Sequence, residues 1–195
     1  ARQEIVRRYY TALCDRRMGA AGDELVNKLE LVMQQAHVDV SIRPVVAAAA
    51  QVAEATGKPA GAIELPDGEV VTGKTTDLMG ASSSTLLNAL KRLAGIDHEH
   101  HLISREAIEP IQAVKVNHLG SVNPRLHSDE ILIALAISAT TNPLARRALE
   151  QLSTLRGCEA HSTVILSPAD TGTYSRLGLR LTCEPQYETN KLYHK

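Results

Sequence analysis

Ala62-Ile63-Glu64-Leu65-Pro66-Asp67-Gly68-Glu69-Val70-Val71-Thr72-Gly73-Lys74-Thr75 is the stretch on which the fold turns, because it admits two incompatible structures. From Gly68 to Thr75 it satisfies the expression G-x-x-x-x-G-K-[ST], in which backbone N–H groups cradle phosphates, lysine reaches the terminal phosphate and threonine meets the metal. A loop of that kind follows a buried strand and feeds directly into a helix. Here the variable positions are Glu69, Val70, Val71 and Thr72, which prefer extended backbone, and Asp77 to Gly80 separates Thr75 from the next helix. The stretch therefore reads as a β-hairpin with strands at 62–65 and 69–72 around a Pro66-Asp67-Gly68 turn. A nucleotide-hydrolysing phosphate loop is the lesser alternative.

Outward from the hairpin the two sides differ. Downstream, Gly80-Ala81-Ser82-Ser83-Ser84-Thr85 opens a helix carrying Leu86, Leu87, Leu90 and Leu93 that stops at Gly95, with the serines as caps. Helices follow at 105–119, 128–140 and 143–156, the last punctuated by Asn142-Pro143 and Gly157. Then Ser162 to Leu166 reads as a strand, Pro168 opens a short helix, and Leu179 to Cys183 reads as a second strand. A strand, helix, strand unit of this kind crosses over into parallel pairing. Upstream, apolar residues at helical spacing give helices from Glu4 to about Met18, from Asp23, and from Pro44 to just before Gly57. Lys58-Pro59 divides the chain into a helical subdomain, 1–57, and an α/β domain, 58–195, built as a mixed sheet covered by helices.

Composition narrows the function. The chain has 195 residues, 44% of them hydrophobic, which supports a real core. Lys plus Arg number 21 against 22 Asp plus Glu, so a general electrostatic grip on nucleic acid or an anionic membrane is not expected. Five Tyr and no Phe or Trp argue against a base-stacking platform. Cys14, Cys158 and Cys183 are far apart and form no C-x-x-C pair, which suits a reducing cytoplasm rather than a disulfide framework or a zinc knuckle. No apolar run approaches the roughly 20 residues needed to span a bilayer. Ala1 stands inside what reads as a helix with no initiator Met, so a piece of a longer protein is expected.

Candidate chemistry sits on four segments. The small, hydroxyl-rich start of the helix after Gly80 suits an anion at a helix dipole, with Lys74 arriving from the hairpin; simple capping is the alternative. Asp97-His98-Glu99-His100-His101 lacks the helical spacing of a metal site and reads as a solvated loop. Asn117 to Glu130 is a donor-rich loop that brings Asn123, Arg125, His127 and Asp129 close together before an apolar helix. Cys158-Glu159-Ala160-His161-Ser162 is the candidate for the other half of such a site. A zinc deaminase needs H-x-E followed by P-C-x-x-C, and the chain has neither. No cofactor and no metal site is named by these residues.

Gly73-Lys74-Thr75-Thr76-Asp77-Leu78-Met79-Gly80-Ala81-Ser82-Ser83, Asn123-Pro124-Arg125-Leu126-His127, Ala139-Thr140-Thr141-Asn142-Pro143, the segment from Gly157 to Ser167 and the terminal Leu192-Tyr193-His194-Lys195 form blocks in a fixed order. In these blocks the chain resembles the C-terminal part of a bacterial family named domain of unknown function 1846. The resemblance implies a three-layer α/β arrangement similar in topology to cytidine deaminases, and a longer protein whose N-terminal half is the first expected partner. It implies no catalytic residues.

Two functions from different classes stand. One is an enzyme domain that binds a small anionic or phosphorylated ligand. Lys74, Thr75, Ser82, Ser83, Asn123 and Arg125 are its candidate contacts, and His127, Asp129 and His161 its candidate acid–base groups. It expects these loops to meet at one pocket. The other is an assembly domain that docks the N-terminal half, another subunit or a second copy, and it expects scattered loops and an exposed apolar patch.

Overall fold

The computed structural model describes residues 1–189. Three helices come first: α1 (Arg2–Arg17), α2 (Asp23–Gln35) and α3 (Pro44–Thr56). Pro44 starts α3 because its fixed φ suits a first turn, and Gly57 ends it in the left-handed conformation, φ 66°. The hairpin follows, with β1 (Ala60–Glu64) antiparallel to β2 (Val70–Lys74). The Asp67 carboxylate accepts the Glu69 N–H at 3.0 Å and closes the turn.

The glycine of the Gly-Lys-Thr run has a packing role. Gly73 faces Gly61 across the hairpin, and helix α4 (Ala81–Leu93) lies directly on the pair. A Cβ at Gly73 would sit 2.4 Å from the Thr85 backbone N, and one at Gly61 would sit 2.7 Å from the Thr85 hydroxyl. Residues 70–74 thus spend their backbone on strand pairing and a close helix contact rather than on a cradle.

Beyond α4 come α5 (Arg105–Asn117), α6 (Ser128–Ser138) and α7 (Pro143–Leu149). The helix expected over 143–156 ends at Leu149, and a separate 3-10 turn spans Leu152–Leu155. The serines expected to cap α4 lie inside it, since Gly80 is the extended N-cap and the Ser83 hydroxyl bonds to the Leu126 carbonyl at 2.9 Å.

Strand β3 (Glu159–Ser162), helix α8 (Pro168–Arg176) and strand β4 (Arg180–Cys183) complete the fold. The sheet order is β2-β1-β3-β4, with β3 antiparallel to β1 and parallel to β4, the pairing expected of the crossover through α8. The strand expected over 162–166 instead ends at Ser162, whose hydroxyl folds back onto the Val164 carbonyl at 2.8 Å. Polar Glu159 and His161 occupy the buried strand because remote partners satisfy them, which local hydrophobicity does not reveal.

Successive residues of β1 point to opposite faces and define two cores. Ile63 packs with Leu86, Leu90, Ile131 and Leu135 of α4 and α6, while Ala62 packs with Val6 and Tyr10 of α1 and Val45 and Ala49 of α3. Helices therefore cover both faces of a mixed sheet. The α1/α3 side is also tied by charge. Arg43 is 0% exposed; its Nε donates to Glu159 at 3.0 Å and its guanidinium also bonds to the Ala160 and Arg180 carbonyls and the Thr182 hydroxyl. Arg7 from α1 holds the other Glu159 oxygen. Among the described residues no helix is long and apolar enough to cross a membrane.

Candidate functional site

Three helices begin around one cavity of about 560 Å³. Their N-cap residues, Gly80 of α4, His127 of α6 and Ser167 of α8, all line it. Backbone and side-chain bonds bring these starts together. Leu126 N–H donates to the Leu78 carbonyl at 2.9 Å and Gly80 N–H to the Leu126 carbonyl at 3.3 Å, which joins the α4 and α6 entrances. Asp170, in the first turn of α8, accepts the Ser128 N–H at 2.8 Å and the Ser128 hydroxyl at 2.7 Å, which joins α8 to α6.

The same carboxylate organises His127. Asp170 Oδ2 lies 3.1 Å from His127 Nδ1 and accepts the Ser167 hydroxyl at 3.0 Å. Burial, the largest influence on Asp170, pushes its carboxyl up. Hydrogen bonds from His127 and from the Ser128 backbone and hydroxyl outweigh burial and bring it down to about 2. An ionised carboxylate only accepts, so Nδ1 carries the imidazole proton. Nε2 has no partner among the described residues. The bond to Asp170 raises the His127 pKa against the opposing effect of burial. Ser167 faces Nδ1, the nitrogen already committed to Asp170, and its hydroxyl is spent on Asp170, so it is not placed as a nucleophile.

Of the residues singled out from sequence, Thr75, Ser82, Asn123, Arg125 and His127 meet at this cavity. The Ser82 hydroxyl has no partner among the described residues. Arg125 is held on both sides, its Nε donating to the Thr76 carbonyl at 2.9 Å and its Nη1 pairing with Glu188 at 2.9 Å. The Asn123 side chain accepts the Arg125 N–H at 3.1 Å and shapes the loop.

Four candidates lie elsewhere. Lys74, at the end of β2, lines a separate cavity of about 360 Å³ with the exposed histidines of the 97–101 loop. Ser83 is fully buried and occupied by the Leu126 carbonyl. Asp129 is exposed and bonds to the N–H of Glu130 in its own helix. His161 shares the sheet face of Ala62, beneath α1, with its ring edge-on to Tyr10. Its Nδ1 meets Thr182 at 2.8 Å and its Nε2 meets Glu184 at 3.1 Å, so neither nitrogen is open. Among the described residues no group of three His, Cys, Asp or Glu is placed to hold a metal.

Asp170, Ser167 and Glu188 also line the cavity, and the sequence does not single them out as site residues. Ser167-Pro168-Ala169-Asp170 carries the Ser-x-x-acid spacing of a helix start, a signal for α8 but not for its meeting with His127.

Residues 41–193 match the family described as domain of unknown function DUF1846, C-terminal. The chain belongs to the DUF1846 family. Among curated proteins it is 53% identical to a UPF0371 protein of Corynebacterium glutamicum (strain R), and 49% identical to one of Streptococcus pneumoniae (strain Hungary19A-6). Both alignments cover 100% of this chain but only 39% and 40% of those proteins. The DUF1846 relatives thus carry this chain as one part of a longer protein. The cavity is built wholly within the matched region, from Pro59 to Glu188. The terminal Leu192-Tyr193-His194-Lys195 block lies outside the described residues.

Proposed function

We propose that the cavity binds a small anionic or phosphorylated molecule and that His127 is its acid–base group. One observation carries this: three helix N-termini open on a single cavity beside Arg125 and an imidazole tethered to a buried carboxylate. Among the described residues the start of α4 has no side-chain cap, while the Ser128, Glu130 and Asp170 N–H groups of α6 and α8 are taken by Asp170, Asp129 and Ser167. All three starts still turn the positive end of a dipole to the cavity, and their convergence favours negative charge. Arg125 adds a full positive charge, and Ser82, Thr75 and Asn123 supply polar contacts. Asp170 keeps Nδ1 protonated, which leaves Nε2 to take or give the proton at the bound molecule. In this reading Lys74, Ser83, Asp129 and His161 leave the site.

The fold supports the cytidine-deaminase-like topology that the resemblance implies, since β1 runs antiparallel to both neighbours in the order β2-β1-β3-β4. A reducing compartment stays the reading that the wide spacing of Cys14, Cys158 and Cys183 in the sequence suits. Assembly is a second reading, favoured by Ile133 and Ile137, one turn apart on α6 and 62% and 65% exposed. A surface of that kind suits docking of the rest of the longer protein or a second copy.

Thermal unfolding with inorganic phosphate and phosphorylated small molecules tests the anion reading. A ligand at 100 times its Kd adds about 2.7 kcal/mol. The shift is expected in the wild-type chain and absent in Arg125→Ala. A full shift in that variant overturns the reading.

A further inference from the structure

Two acids line the cavity, and they are held very differently. Asp170 receives the Ser128 N–H, the Ser128 hydroxyl, the Ser167 hydroxyl and His127 Nδ1, and its side chain is 8% exposed. Among the described residues Glu188 pairs with Arg125, and the Arg125 and Glu188 side chains are 33% and 20% exposed. A partly exposed ion pair exchanges its partner more readily than a buried carboxylate held by four hydrogen bonds. A carboxylate facing a site built for anions also repels any ligand that enters while it stays there.

The position of the pair adds a second argument. A neighbouring cavity of about 740 Å³ shares Pro59, Thr75, Arg125, Val164 and Glu188 with the first. The two cavities therefore adjoin, and the Arg125–Glu188 pair stands at their junction. The segment that brings Glu188 there is tied down upstream of it. Glu184 N–H donates to the Ser162 carbonyl at 2.9 Å, Ile165 N–H to the Gln186 carbonyl at 2.8 Å, and the Gln186 side chain to the Thr163 carbonyl at 2.7 Å. Arg125 by contrast stays fixed through its Nε when Glu188 leaves, because the Thr76 carbonyl still holds it.

We propose that Glu188 is an internal competitor for the Arg125 fork, exchanged for an anionic oxygen of the ligand. This rests on the anion reading above and adds a specificity residue and a ligand class. The fork takes a phosphate or carboxylate group in place of the Glu188 carboxylate. Because the pair stands where the cavities adjoin, the ligand is an extended monoester or acid whose anion sits at Arg125 and whose remainder runs on into the second cavity, lined by Lys58 and Thr76. No covalent bond is made or broken in the exchange.

The test is phosphate binding by calorimetry in the full chain as wild type, Glu188→Gln and Arg125→Ala, with hydrogen exchange read over residues 184–189. Glu188→Gln keeps the size of the side chain and removes its charge. Expected are tighter phosphate binding in Glu188→Gln, on the order of tenfold as for two coupled sites, and faster exchange at 187–189 in the wild type when phosphate is added. Equal or weaker binding by Glu188→Gln, with Arg125→Ala still losing phosphate, overturns the competitor and leaves the anion site standing. Wild-type phosphate affinity in Arg125→Ala overturns the anion site itself. Absence of binding in both wild type and Glu188→Gln overturns the two together, while binding in Glu188→Gln alone is the strongest support.

Discussion

Arginine, acid and histidine meet twice in this protein, on opposite faces of the sheet, with opposite consequences. Beneath α1 and α3, Arg43, Glu159 and His161 are buried and every hydrogen-bonding group named there has an internal partner. At the cavity, Arg125, Glu188, His127 and Asp170 leave one imidazole nitrogen without a partner among the described residues and one partly exposed ion pair. The same residue types act as a clamp where their capacity is saturated and water is excluded, and as a site where it is not. Their histidines mark the difference: burial lowers the His161 pKa, whereas the bond to Asp170 raises that of His127.

The largest effect should come from breaking the clamp. Glu159→Ala leaves Arg43 charged and unpaired in the interior and is expected to cost about 3–5 kcal/mol of stability, read from a urea midpoint. A cost under about 1 kcal/mol would remove the ground for calling this face a clamp.

Next in size is the pH response. Asp170 is held at about 2, below the ordinary aspartate range, so its stabilisation of about 2 kcal/mol is present above pH 4 and lost as pH falls toward 2. Near neutrality the two histidines act in opposite senses. His127, raised in the folded state, stabilises below the unfolded histidine pKa of about 6.5, and that contribution fades as pH climbs through the folded value. His161, lowered in the folded state, stabilises above about 6.5, and that contribution is lost as pH drops through its folded value. Melting curves from pH 5 to 8 should therefore tilt in opposite directions for His127→Gln and His161→Gln. Parallel slopes for the two variants would dissolve the contrast.

The smallest effect should be at Lys74, which the Gly-Lys-Thr pattern would make indispensable. Lys74→Ala is exposed and lines a different cavity, so stability should change by less than about 0.5 kcal/mol and phosphate binding should match the wild type. Loss of phosphate binding would return the motif to the site.

Much of the fold was legible because its signals are local. The Pro66-Asp67-Gly68 turn, Pro44 and Gly57 around α3, and the parallel pair around α8 each follow from a few adjacent residues. Local pattern puts β3 at 162–166 rather than at Glu159–Ser162, because its acid and histidine are made buriable by residues far away in the chain. For the cavity, the loop from Asn123 to His127 was readable as donor-rich, yet Asp129 and His161 look equally able on paper. Asp129 bonds to its own helix, and His161 falls on the other face of the sheet.

The sequence by itself determined the order of helices and strands and the hairpin in place of a phosphate loop, because periodicity, turns and caps act over a handful of residues. Only the tertiary structure decided which polar residues form the cavity. His127 and Asp170 are 43 residues apart, Arg125 and Glu188 63, and Arg43 and Glu159 116. Packing of helices on the sheet sets these pairings, and with them which groups are saturated and which stay open, since hydrogen-bond completeness belongs to the folded neighbourhood rather than to any segment of the chain.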